Sequence, residues 1–249
     1  MKRIAALVFL LLASCNKDKG AAPAAVAEPG TRFTKVAPAV GQTREETSDI
    51  TMTLKGASTV ERSKRIEKVL AVTGDTVTKM QVKFESAEPN AAVVGKTYVV
   101  DANAITDEAG KAAAPGEAKD VRKIYRAIGK PDPIAASLPT AALHPGEKVD
   151  ALAKAIGEQM KDDGEGITAE GVVVTFKEAR GDIGVFDVSL KLAKNEPPVT
   201  MTIDAKGEAW VSTKDGQTTK LDLKGPITIH GGPLEGTGEM TMKLEGHRL

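Results

Sequence analysis

The sequence predicts an α+β protein: a mostly antiparallel curved sheet or half-barrel with two central helices packed on its apolar face. Three observations lead there. Apolar and polar residues alternate through many runs of strand length, the pattern of a sheet with one dry and one wet face. Two stretches near the middle carry apolar residues at helical spacing instead. Gly- and Asp-containing turns separate the runs.

Strand signals begin after Gly41. Residues 42–54 end in Ile50, Met52 and Leu54, with Thr51 and Thr53 between. Residues 61–73, with Ile66, Leu70 and Val72, and residues 76–86, with Met80, Val82 and Phe84, flank Gly74-Asp75 as a hairpin. Residues 98–100 form a short strand, and a further hairpin turns at Asp107-Glu108-Ala109-Gly110.

The first helix is expected over 117–128. Val121, Ile124, Tyr125 and Ile128 make one stripe, with Pro115-Gly116 before it and Gly129 and Pro131 after it. A Pro-rich connector covers 130–145. The second helix is expected over 149–160, with Val149, Leu152, Ala153, Ile156 and Met160 on one side. Long strands follow, marked by Val172, Val174 and Phe176; by Phe186, Val188, Leu190 and Leu192; by Val199, Met201 and Ile203; by Leu221 and Leu223; and by Met240, Met242 and Leu244. Strands, then helices, then strands leave a faint pattern of two related halves, 41–115 and 146–249. They form either one continuous sheet with the helices on its apolar face or two lobes.

The N-terminus carries a different signal. Lys2 and Arg3 precede an unbroken apolar run, 4–12, then Ala13, Ser14 and Cys15. That order marks a secretory signal. The run is well short of the roughly 20 residues a membrane-spanning helix needs. The tetrad Leu12-Ala13-Ser14-Cys15 resembles the bacterial lipobox. The resemblance implies that residues 1–14 are a cleaved lipoprotein signal peptide and that the Cys15 thiol receives a diacylglyceryl group. Acyl chains such as palmitate would then tie the protein to the membrane. Cys15 is the only cysteine, so it has no intramolecular disulfide partner. Asn16 follows it, where an Asp would favour inner-membrane retention in enterobacteria. The resemblance therefore points to the outer membrane, facing the periplasm. Residues 15–40, rich in Ala and Pro, read as the lipidated cysteine and a disordered tether, and 41–249 as the β-rich periplasmic domain.

Composition narrows the function. The 34 basic and 34 acidic side chains balance, so no global positive field draws nucleic acid. Aromatics make up 3 % of the chain, too few for base-stacking surfaces. His144, His230 and His247 sit in no nucleophile motif, and there is no G-x-S-x-G elbow. Asp162-Asp163-Gly164-Glu165 lacks the ligand spacing of a calcium loop and reads as a polar helix stop. No zinc signature and no P-loop occur; the Gly-rich run 231–238 reads as a turn. These residues point to no cofactor and no enzymatic activity.

Two features remain as binding candidates. Lys119, Arg122, Lys123 and Arg126 fall opposite the apolar stripe of the first helix. Such a face is commonly just solvated, but beside a membrane it can contact anionic headgroups. The apolar sheet face, with Met160, Met201, Met240 and Met242, reads as a filled core or as an adaptable groove.

Gly95-Lys96-Thr97-Tyr98-Val99-Val100-Asp101-Ala102-Asn103 resembles a segment of uncharacterised bacterial lipoproteins that end in a block of long strands. More distantly, the layout resembles the half-barrel carriers of lipoprotein sorting. The expected function is a membrane-anchored lipoprotein with a non-enzymatic structural or binding role at the cell envelope. The alternative is a carrier or receptor for lipid or lipoprotein acyl chains in an apolar groove. The expected partners are the membrane, through Cys15, and a lipid or another envelope protein.

Overall fold

Short turns joining long alternating runs dictate the architecture. In the computed structural model, which describes residues 30–161, 167–233 and 235–249, ten strands form one sheet. They are β1 Thr43–Leu54, β2 Ala57–Thr73, β3 Thr76–Glu88, β4 Thr97–Asp101, β5 Ile105–Asp107, β6 Ile167–Arg180, β7 Ile183–Glu196, β8 Val199–Ser212, β9 Thr218–His230 and β10 Gly236–Arg248. The signal segment, Cys15, the acidic loop 162–165 and Leu234 lie outside the described residues.

Two-residue turns set the registers. Leu54 pairs with Ala57 across Lys55-Gly56, both with positive φ, as a tight hairpin turn requires. Thr73 pairs with Thr76 across Gly74-Asp75. The spatial order is β5-β4-β3-β2-β1-β10-β9-β8-β7-β6, and all neighbours are antiparallel. The last strand returns to pair with the first, so one continuous, curved, unclosed sheet runs through both halves.

Among the described residues, three helices lie between β5 and β6: α1 Pro115–Ile124, α2 Pro133–Ser137 and α3 Asp150–Lys161. The first ends four residues before its stripe predicts. Tyr125 leaves helical geometry, and Gly129 adopts φ +84° while its N–H donates to the Val77 carbonyl at 2.9 Å. Arg126 therefore lies beyond the helix. The second helix sits in the Pro-rich connector, where no helix is expected. The Asp132 carboxylate accepts from the N–H groups of Ile134 and Ala135 at 2.9 and 3.2 Å, and Pro133 occupies the first turn. That cap is enough to start a single turn.

The interior is split in two. Val82, Phe84, Val93, Tyr98, Val100 and Ile105 cluster with Val121 and Tyr125 at the β3–β5 end. The larger core gathers Val149, Leu152 and Ala153 with inner-face residues of β6 to β10. Its centre is aromatic: Phe33, Phe176 and Phe186 have ring centroids 5.4 to 6.2 Å apart.

Phe33 lies within the stretch that reads as tether. It is 5 % exposed. The Thr31 N–H donates to the Leu143 carbonyl and the Leu143 N–H returns the bond, each at 2.8 Å. The Thr34 N–H donates to the Thr213 carbonyl at 2.8 Å. The folded part thus includes residues 30–34, ahead of Gly41. One aromatic in an Ala/Pro-rich run is invisible to periodicity, and Gly184 makes its place: a Cβ there would collide with the Phe33 ring.

Candidate ligand-binding face and its polar end

The inner face of β1 is half apolar and half polar. Ile50, Met52 and Leu54 face the same way as Arg44, Glu46 and Ser48, because side chains two apart share a face. Ile50 pairs with Met242 and Met52 with Met240 on β10, while Ser48 pairs with Ser63 and Glu46 with Arg65 on β2. The central strip formed by Ile50, Met52, Leu54, Met242 and Leu244 is only half-buried. Ile50 and Leu244 belong to neither core cluster.

The polar end is a closed network. Arg65 is 8 % exposed and forms an ion pair with Glu46, itself 8 % exposed. Its Nε donates to Glu67 Oε1 at 2.9 Å and its Nη1 to Ser63 Oγ at 2.9 Å. The Tyr125 hydroxyl donates to the same Glu67 oxygen at 2.6 Å, and the Arg65 guanidinium lies 5.8 Å from the Tyr125 ring centre. Arg44 sits 3.5 Å from Glu46 and donates to the Thr218 carbonyl at 2.7 Å. The end of the α1 segment, β1, β2 and the start of β9 therefore meet at one point.

Burial raises the Glu46 pKa above the usual carboxylate range; Arg65 and Arg44 oppose that rise and Glu67 adds to it. Burial also works against the charge on Arg65, but the Tyr125 oxygen and the two carboxylates outweigh it and keep the guanidinium protonated. Burial pushes the Tyr125 hydroxyl well above its ordinary value, and Glu67 beside it pushes the same way. A carboxyl whose folded pKa is raised binds its proton more tightly in the native state than unfolded. Its favourable contribution is present at low pH and fades as pH rises from the unfolded value through the folded one. Glu46→Gln keeps an acceptor for Arg65 without that titration. The variant's stability relative to the parent is expected to rise steadily as pH climbs from about 4.5. Urea midpoints between pH 4 and 8 measure it, and a flat difference would refute the assignment.

The periodicity of β2 misplaces this network. Ile66, Leu70 and Val72 are its visible apolar markers, yet Ile66 lies opposite Glu45, on the other side of the sheet from Arg65 and Glu67. Two register shifts between Val69 and Val72 break the alternation. The available signal was parity: running Ile50, Met52 and Leu54 backwards puts Glu46 and Arg44 on the apolar face.

The four expected basic residues take different places in the fold. Arg122 donates to the Asp101 carbonyl at 2.7 Å and fastens α1 to the end of β4. Lys119 is exposed. Lys123 and Arg126 line a cleft of about 380 Å³ between α1 and the inner face of β1 to β3. The Lys96–Asn103 segment also holds α1 in place. Lys96 and the Tyr98 hydroxyl both bond Glu117, at 2.5 and 2.7 Å, and the Asp101 carboxylate accepts from the N–H groups of Asn103 and Ala104, both at 2.8 Å.

Among the described residues, no three His, Cys, Asp or Glu side chains gather as a metal site. No described helix is long and apolar enough to cross a membrane. No family model matches the chain, and no curated protein shows significant similarity to it. Two solved structures are similar over most of their length. One is a LolA superfamily protein from Nitrosomonas europaea, at 9 % identity over 85 % of this chain and 86 % of the other, with TM-score 0.23. The second is a DUF1329 family protein from Desulfovibrio piger, at 10 % identity over 83 % and 84 %, with TM-score 0.22. Scores that low assign neither family nor ligand.

Proposed function

We propose that this chain is a lipid-anchored binding protein of the cell envelope that receives an acyl chain on the centre of its inner sheet face. The half-buried strip between the two cores carries the reading. Ile50, Met52, Leu54, Met242 and Leu244 form a half-buried apolar surface; Met52, Leu54 and Met242 border the larger core, and Ile50 and Leu244 belong to neither. Each methylene laid on such a surface contributes about 0.8 kcal/mol, and the methionines adapt to chains of different shape. The role is non-enzymatic. The acylated Cys15 holds the protein at the outer membrane, facing the periplasm.

Native mass spectrometry of the full chain carrying Cys15→Ala tests the binding, since that variant lacks acyl groups of its own. Co-purified lipid and uptake of a fluorescent fatty acid are expected, with uptake falling at least about tenfold in Met52→Asp. Empty protein that takes up no probe would overturn the reading. In cells, Cys15→Ala is expected to abolish labelling by a fatty-acid probe; normal labelling would remove the anchor.

A further inference from the structure

We infer that Met52, Met240 and Met242 form a site for a soft monovalent metal ion, copper(I), on the inner face of β1 and β10. The inference goes beyond the acyl-chain reading and does not depend on it. Of the chain's seven methionines, these three occupy neighbouring positions. Met52 pairs directly with Met240, and Met242 follows two residues on, opposite Ile50. Directly opposite residues share a face, and so do residues two apart on one strand. Thr51, Thr53 and Thr241 turn to the other side, so Thr-Met-Thr on β1 meets Met-Thr-Met on β10. Facing side chains stand about 5 Å apart at Cβ, and those two apart on a strand about 7 Å. A methionine side chain has three rotatable bonds, so three sulfurs anchored at such spacings can converge on one ion.

The donor set selects the ion. Thioether sulfur is a soft, uncharged donor that favours copper(I). Zinc takes thiolate, imidazole or carboxylate, and calcium and magnesium take oxygen. The surroundings act in the same direction. Met240 is 4 % exposed, Met52 and Met242 are half-buried, and Ile50, Leu54 and Leu244 flank them on the same face. A divalent ion would exchange its water there for neutral donors in apolar company, and that cost is smaller for an ion with one charge. The half-buried pair leaves the site open to an incoming ion. Met52 and Met242 also belong to the apolar strip, so a bound ion and an acyl chain should exclude each other.

Anaerobic competition for copper(I) between the protein and the chromophoric chelator bicinchoninate tests this. The protein is the full chain carrying Cys15→Ala, which has no thiol, stripped of lipid on a hydrophobic resin. One ion per chain is expected to pass to the protein. Met52→Leu and Met242→Leu remove sulfur at nearly constant volume and so keep the fold. Each should weaken binding at least about tenfold, the scale on which even the outer partners of a metal ligand count. Met80→Leu, beside the smaller core, should leave binding unchanged. X-ray absorption at the copper edge should show sulfur neighbours only. No transfer from the chelator, parental binding in both Met52→Leu and Met242→Leu, or a nitrogen shell that moves the ion to a histidine would overturn the inference. Its failure leaves the acyl-chain reading untouched. Copper binding that added fatty acid does not reduce would keep the metal site and count against an acyl chain on the strip.

Discussion

Arg65→Met is expected to destabilise the domain by about 3–5 kcal/mol, the usual effect of removing one member of a buried ion pair. Among the described residues, Arg65 is the only guanidinium that bonds both Glu46 and Glu67. Without it two carboxylates remain side by side, screened from water, with only the more distant Arg44 near them. The side chain lost is about as large as the one introduced, so cavity formation is a minor part of the change. The effect should depend on pH in a defined direction. Protonation of Glu46, whose pKa burial and Glu67 both raise, removes the repulsion between the two, so the gap between variant and parent narrows as pH falls. Urea denaturation at pH 7.5 and at pH 4.5 measures both quantities. A gap below about 1 kcal/mol at neutral pH would place these groups in the class of solvated surface pairs. Replacing Arg65, Glu46 and Glu67 together with apolar residues should recover part of the loss and not all of it, because Arg44 then lacks Glu46 and the Tyr125 hydroxyl lacks its acceptor.

Phe33→Ala is expected to cost about 3–5 kcal/mol as well, by a different mechanism. The Phe33 ring packs on Phe176 and Phe186, and its removal opens a void at the centre of the larger core. Gly184 lies directly beneath and has no side chain to close the space. Val36, three residues later, is 48 % exposed, so Val36→Ala should change stability by less than about 0.5 kcal/mol. Thermal unfolding separates the two. A chain beginning at Gly41 should show the same loss as Phe33→Ala, or a larger one, because it also lacks the two-way hydrogen bonding of Thr31 with Leu143. Equal stability of chains beginning at Gly30 and at Gly41 would show that the docked segment contributes nothing.

Much of the architecture is legible from patterning. Ile50, Met52 and Leu54, Phe186 to Leu192, and Met240 to Leu244 announce strands because alternate side chains must share a face. The hairpin at Gly74-Asp75 is announced by its turn residues, whereas the one at Lys55-Gly56 emerges only in the structure. The two longer helices appear as stripes, although the first ends early because Tyr125 turns down to bond Glu67. The candidate site was less legible. Arg65 and Glu67 look like ordinary polar strand residues, and only the pairing of β2 with β1 shows that they share a buried side with Glu46. The four basic residues around α1 read as one face, yet Arg122 is used for packing while Lys123 and Arg126 border the cleft.

By itself, the sequence determined most of the local elements, the apolar side of the long strands other than β2, and the lipobox-like tetrad ending at Cys15. These depend on residues close together in the chain. Only the tertiary structure decided that β10 returns to β1 and makes one sheet, that Phe33 belongs to the core, and that a buried charged network closes one end of an open apolar strip. Each of these joins residues from 19 positions apart, as in Glu46 with Arg65, to opposite ends of the domain. Such contacts follow from how the whole chain shares out its apolar surface, and no local period encodes them.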